Sequence, residues 1–260
     1  AESPCAGECN NIRVRPAPPA LNAAETLAVR FSNASAGQEF LSAGANLLLY
    51  APADWRAAAL AAELPKLPRG AWLALPPQMS DAAFANARPM IAQQGARLAG
   101  VVLGSVGQLG LPVPLPVALG GGVPVTNREA AAELLGGDIA FFTLWPELNF
   151  GELKTLLPDT RGVPALLTVY GRERVMLLNH CPARVARGLT AGRAQCALCG
   201  AGDRACASPD PALTDRKGYR FPLGRVRLPE GCVVELYNAL PTDLSAQESR
   251  RKALGAGMRL

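Results

Sequence analysis

Asn46-Leu47-Leu48-Leu49-Tyr50-Ala51 is apolar at successive positions, odd and even alike. A strand reads this way when helices or neighbours cover both its faces, because neither side meets water. An Ala-rich stretch follows over 54–64 with helical spacing, and Asp54 stands where an N-cap is expected. The same alternation extends in both directions. Upstream, 27–31 reads as a strand and 38–43 as a short helix. Downstream, strands are expected over 71–75, 100–103, 113–119, 138–143 and 165–169. Between them lie helices capped by Ser80 and by Asn127, and one opened by Asn149 or Gly151. Strand and helix alternating at intervals of about 25 residues is the pattern of right-handed βαβ units around a parallel sheet. An open doubly wound sheet and a barrel both fit. No glycine-rich dinucleotide fingerprint follows the first strand, so a nicotinamide fold has little support. Gly120-Gly121-Gly122 lacks the Lys-Ser/Thr of a phosphate loop and reads as a flexible turn.

The chain has 260 residues, 49% hydrophobic and 18% charged, enough for one full-sized core or two small ones without disulfides. Its longest apolar runs, 45–53 and 164–170, fall far below the roughly 20 residues of a membrane span. The opening Ala1-Glu2-Ser3-Pro4-Cys5 has neither a basic region nor an apolar one, and does not read as a signal peptide. Both ends read as if cut from something longer, and Gly257-Met258-Arg259-Leu260 looks like the opening of a strand. The organisation expected is a Pro/Ala-rich linker over 1–25, a barrel-like βα domain over 26–170, a Cys-rich metal-binding segment over 171–245, and a tail over 246–260 leading into a further strand. The Cys-rich segment is loop-like in texture, and it follows the seventh strand, where the βα loops of a barrel collect.

Seven cysteines could suggest a secreted disulfide framework. The odd number, the chain length and the absence of a secretion signal oppose it and favour a reduced, cytoplasmic setting. Five of the seven fall between 181 and 232, as Cys181-x14-Cys196-x2-Cys199-x32-Cys232 with Cys206 between the last two. Two residues between Cys196 and Cys199 let both thiolates converge on one centre, and two distant cysteines complete a tetrahedral set. Structural zinc and an iron–sulfur cluster both satisfy this spacing, and buried unligated cysteines are the plain alternative. Pro182 after Cys181 leans towards a cluster, because a Cys-Pro ligand also ends the bacterial ferredoxin run. Cys5 and Cys9 lie in the linker and read as non-ligating. His180, the sole histidine, is either a proton donor beside Cys181 or a residue that orients its loop. No Gly-x-Ser-x-Gly elbow accompanies it.

Charge is unevenly distributed. Between Arg161 and Arg227 there are 12 Lys/Arg and four Asp/Glu, an excess of +8 against a net +5 for the whole chain. Such a cluster is either a solvated surface or a patch that meets phosphate, and few aromatics accompany it.

The ordered motifs Tyr170-Gly171-Arg172, Val175-Met176-Leu177, His180-Cys181-Pro182, Cys196-x2-Cys199, Leu213-Thr214-Asp215-Arg216-Lys217-Gly218 with Phe221-Pro222, Cys232, and Leu236-Tyr237-Asn238-Ala239-Leu240-Pro241 resemble the collagenase-like peptidase family U32. Pro124-Val125-Thr126-Asn127 and Trp145-Pro146-Glu147-Leu148-Asn149 extend the resemblance upstream, so that it covers roughly 98–245; residues 1–97 resemble the family only as a βα pattern. The resemblance implies an α/β, TIM-barrel-like parallel barrel, complete or not, followed by a Cys-rich loop subdomain. It implies the C-terminal barrel of the longer two-barrel branch, with the N-terminal barrel of the same protein as a partner. Catalogued as peptidases, members of this family are also known to support oxygen-independent hydroxylation of transfer RNA, ribosomal RNA or ubiquinone. A [4Fe–4S] cluster serves them, and prephenate is the oxygen donor of some RNA-modifying members. The cluster ligands carry over onto Cys181, Cys196, Cys199 and Cys232. Arg172, Arg174, Arg216 and Lys217 become candidates for neutralising carboxylate or phosphate, with His180, Arg172 and Arg216 the candidate catalytic set. Asp215 reads as a turn or salt-bridge residue, and Glu147 as a cap or a substrate contact. Trp145 stands where Ser is usual, Cys206 is an added thiol, and the Gly run before Val123 replaces an Asp-bearing lead-in. Against a peptidase stands the lack of a His-Glu-x-x-His zinc motif. A metal-stabilised module that binds RNA or docks on a partner barrel is the non-catalytic alternative.

Overall fold

The computed structural model describes residues 16–136, 138–186, 188 and 211–260. Eight parallel strands close into a barrel. Seven follow one another in chain order: β1 (Leu27–Phe31), β2 (Leu47–Tyr50), β3 (Ala71–Ala74), β4 (Leu98–Leu103), β5 (Val117–Leu119), β6 (Ile139–Thr143) and β7 (Ala165–Thr168). The eighth comes from the far end of the chain. Gly257–Arg259 inserts between β1 and β7, with Met258 opposite Leu27 on one side and Leu167 on the other. The tail expected to open a strand is therefore the stave that seals the barrel.

Alternation along the strands, interrupted where the β3–β4 and β5–β6 registers shift, separates two apolar layers. Val29, Phe31, Leu48, Tyr50, Leu73, Val101 and Leu119 face the surrounding helices. Ala28, Leu47, Leu49, Trp72, Val102, Ala118, Ala140, Phe141 and Leu166 fill the barrel. Inside it, Trp72 and Phe141 meet edge to face, their centroids 4.8 Å apart. Gly100 makes room for that indole, since a Cβ there would lie 2.3 Å from the ring.

Helix α1 (Gly37–Ser42) follows β1, and three later helices open on the signals read from sequence. Ser80 accepts from Ala83 N at the start of α3 (Asp81–Gln93), and Asn127 from Ala130 N at the start of α4 (Arg128–Leu134). Asn149, rather than Gly151, opens α5 (Phe150–Leu156), through a capping box with Glu152. The starts of two elements shift for reasons visible in the sequence. The fifth strand begins only at Val117, because Pro112, Pro114 and Pro116 have no N–H for the ladder. Asp54 does not cap α2 (Ala57–Glu63); its carboxylate accepts from Arg56 N at 3.0 Å and also binds the Arg56 guanidinium, leaving Arg56 at the N-cap.

Between β7 and the closing strand, the described strands form a second, antiparallel layer. A stalk of β8 (Tyr170–Gly171) and β13 (Thr242–Asp243) pairs where the chain leaves and rejoins the barrel. Beyond it, β9 (Arg174–Leu178), β10 (Ala212–Thr214), β11 (Arg220–Leu228) and β12 (Gly231–Tyr237) form a sheet in the order β10-β11-β12-β9. Among the described residues, regular sheet is found where loops were expected. The segment is also an insertion within the barrel rather than a domain that follows it. A short helix, α6 (Pro182–Ala186), follows β9, and α7 (Glu248–Leu254) leads to the eighth barrel strand, β14 (Gly257–Arg259).

Candidate functional site at the barrel mouth and the inserted sheet

The inserted sheet is held over the C-terminal end of the barrel at two separated points. The stalk is one, continued by Leu244 N donating to Val169 O at 2.8 Å. At the other, Trp55 N donates to Arg227 O at 2.7 Å and Arg227 N to Ala53 O at 2.8 Å, tying β11 to the loop after β2. Asp54 strengthens the second point. Burial pushes its carboxyl up, but hydrogen bonds from Arg56 and the charges of Arg56 and Arg227 hold it below its ordinary 3.8.

Between barrel and sheet lies a cavity of ≈160 Å³. Its floor is made by the C-terminal ends of barrel strands: Arg30 of β1, Ala74 of β3, Gly120 after β5, Thr143 of β6 and Arg259 of β14. Its roof is Glu173, Arg174, Glu235 and Tyr237, with Trp145 and Glu147 at the side. Arg174 Nη1 donates to Glu235 Oε1 at 3.0 Å, and the Tyr237 hydroxyl donates to Glu235 Oε2 at 2.5 Å. Arg30 bonds the same hydroxyl. Arg259 Nη2 lies 3.5 Å from Glu173 Oε1. Burial raises the Tyr237 hydroxyl above its ordinary 10.0, with Arg30 opposing and Glu235 assisting. Burial likewise lowers Arg259 to about 10, Glu173 counteracting while Arg30 and Arg174 add to the fall. The floor is stiffened by Gln108, which accepts from Gly104 N at 2.6 Å and donates to Pro76 O at 2.7 Å, lacing the ends of β3 and β4 together.

The residues singled out from sequence divide between this mouth and the far end of the sheet. Arg172 and Arg174 line the mouth; Arg172 Nη1 donates to Asn238 O at 2.8 Å and also to Ala239 O. Glu147 and the Gly120–Gly122 run line it too. Arg216 and Lys217 do not; they sit in the exposed turn between β10 and β11. Asp215 organises that turn, its Oδ1 accepting from Lys217 N at 2.8 Å and Tyr219 N at 2.9 Å. His180 is exposed in the bend after β9.

Cys181 and Cys232 are both buried, and neither is in a disulfide. The antiparallel register explains their common position. Strand β9 ends at Leu178 opposite Val234; beyond it come His180 and Cys181, while Cys232 precedes Val234 on β12. Both chains thus run to one end of the sheet. That end lies roughly 17 Å of strand from Tyr237 at the mouth, at about 3.4 Å per residue. Cys5, Cys9, Cys196, Cys199 and Cys206 lie outside the described residues. Among the described residues, no three His, Cys, Asp or Glu side chains gather as a metal would require. No helix among them is long and apolar enough to cross a membrane.

Sequence reasoning passed over Arg30, Glu173, Glu235 and Arg259. A signal was present for two of them: each is the lone charge in a strand whose other residues are apolar or Gly, at a position that faces inward once the barrel closes.

No family model matches the chain, and no curated protein matches it. Among solved structures, the U32 peptidase Mk0906 is similar at 12% identity over 70% of this chain and 85% of that one, with a TM-score of 0.42. The spore cortex-lytic enzyme SleL of Bacillus cereus is similar at 12% identity over 90% of this chain and 70% of that one, with a TM-score of 0.34. Likenesses at this level carry no activity from one protein to another.

Proposed function

We propose that this chain is a U32-type module of an iron–sulfur-dependent RNA hydroxylation enzyme, working in a reducing, cytoplasmic setting. The observation that carries the reading is the pair Cys181 and Cys232. They are distant in sequence, both buried, and brought to the same end of one antiparallel sheet. The donor set suits the group. Cys196 and Cys199 belong to the connection between those two thiols, at knuckle spacing, so that four thiolates can converge on one centre. When bound, a [4Fe–4S] cluster supplies one-electron chemistry. The chain's own residues supply the surroundings: His180 beside the first ligand, and the Arg-rich strands and turns of the inserted sheet for phosphate. Guanidinium suits that role through its paired donors.

Replacing the cysteines one at a time tests the ligand set. After anaerobic purification, Cys181→Ser, Cys196→Ser, Cys199→Ser and Cys232→Ser should each remove the absorption at about 400 nm that thiolate-bound cubanes show. Cys206→Ser should leave it intact. Equal losses across all five variants would refute the assignment. RNA binding should weaken steeply with salt, as phosphate contacts require, and salt-insensitive binding would remove RNA from the reading. Mass spectrometry of RNA from cells lacking the protein should then reveal a missing hydroxyl.

A further inference from the structure

The mouth cavity contains two buried polar atoms with complementary needs. Arg259 Nε is a donor without a hydrogen-bond partner, and Glu173 Oε1 is an acceptor without one. Their side chains approach as an ion pair, Arg259 Nη2 lying 3.5 Å from Glu173 Oε1, which eases charge but gives neither Nε nor Oε1 a hydrogen bond. Buried polar atoms are rarely left so, and those that are need an explanation. Charge adds to the case. Arg30, Arg172, Arg174 and Arg259 face Glu147, Glu173 and Glu235 around the same space, an excess of one positive charge with Tyr237 neutral.

The glycine run keeps the space beside these guanidinium groups open. A Cβ on Gly122 would lie 2.0 Å from Gly104 O and 3.1 Å from Arg174 Nη2, and one on Gly121 would lie 3.8 Å from Arg259 Nη1. The run read from sequence as a flexible turn thus forms a side-chain-free wall facing two arginines. Arg259 ends the eighth barrel strand and Arg174 follows the seventh, where barrels frequently build anion sites.

We propose that the barrel mouth binds a small oxyanion bearing a neighbouring hydroxyl, such as a 2-hydroxy acid or a polyol phosphate. The oxyanion takes the free donor of Arg259 and neutralises the excess charge of Arg30 and Arg174. The hydroxyl donates to Glu173 Oε1. The inference needs only the barrel mouth; it stands or falls independently of the metal reading, because the thiols lie at the opposite end of β12.

The test uses the full chain and two matched pairs of probes, lactate against propionate and glycerol 3-phosphate against methyl phosphate. Titration calorimetry at constant ionic strength excludes general screening. Within at least one pair, the hydroxyl-bearing member should bind about tenfold more tightly, since a site built to pair a hydroxyl discriminates against its absence. The pair that binds identifies the oxyanion as carboxylate or phosphate. Arg259→Met should weaken binding by about tenfold or more, as loss of a charge-assisted bond implies. Glu173→Ala should abolish the preference for the hydroxyl while retaining the oxyanion. A readout on the unaltered protein guards against misfolding: the Arg259 Nε–H resonance should shift on adding the bound probe. No heat and no shift from any of the four probes at ~10 mM, a concentration that would reveal even millimolar affinity, would overturn the proposal. So would unchanged affinity in folded Arg259→Met, or equal affinity within both pairs.

Discussion

In the barrel wall, β2, β5, β6 and β7 bury every residue; in the sheet that covers its mouth, β9 buries none of its five. Only β12 of that sheet is buried through most of its length, being flanked by β11 and β9. The barrel is thus sustained by apolar packing on both faces of each strand, which is close to a complete core in itself. The inserted sheet is fastened by a stalk, a backbone bridge to residues 53–55, ion pairs and one apolar edge, where Val226, Leu228 and Val233 join the barrel's outer core. Placing a layer of the second kind over the open end of the first creates the polar seam. Strand ends on one side and charged strand residues on the other meet in the cavity.

The largest effect that could break this contrast is on the barrel side. Trp72→Ala removes the indole that Gly100 accommodates and Phe141 packs against, and should cost about 3–5 kcal/mol in denaturant unfolding. A loss below about 1 kcal/mol would show that the barrel does not depend on its interior packing, against the usual cost of such a truncation. Next, Glu235→Ala strips Arg174 and the Tyr237 hydroxyl of their shared partner. A loss of about 2 kcal/mol is expected for unsatisfied groups of this kind. It should fall on the inserted sheet, so hydrogen exchange should accelerate in β9 and β12 while barrel strands stay protected. Uniform acceleration would mean that the two layers open as one unit, and the contrast would fail.

The smallest effect sharpens the boundary between the layers. Asp54 has a folded-state pKa below its ordinary 3.8, so the stability it contributes is present above that value and fades as pH falls through the lower, folded one. The carboxylate is partly exposed, so the effect should stay under about 1 kcal/mol. Acid should loosen amide protection around Arg227 in the unaltered chain, and Asp54→Asn should remove that pH dependence. If the variant keeps the same acid response, another group anchors β11.

The seven barrel strands in sequence order were legible because each announces itself locally as a short apolar run, and the helices opened by Ser80, Asn127 and Asn149 carry side-chain caps. Closure was less so. Gly257-Met258-Arg259 reads as a strand, but its pairing with β1 and β7 joins opposite ends of the chain, and no local pattern records that. Arg30 and Arg259 were missed for the same reason, since they become neighbours only on closure, whereas Arg172 and Arg174 at the same mouth were legible. The inserted sheet was read as loop because Pro222 and Gly224 interrupt β11 and because β9 and β10 lack a buried face. The cysteines were the reverse case. Their spacing was visible at once, while the common position of Cys181 and Cys232 depends on the β9–β12 register.

The central claim is that the inserted sheet carries a cluster. Iron and acid-labile sulfide in the anaerobically purified chain test it most directly. The account predicts about four of each per chain with a brown colour, as a cubane requires. A colourless protein holding about one zinc per chain would contradict it and make the cysteine set a structural knuckle.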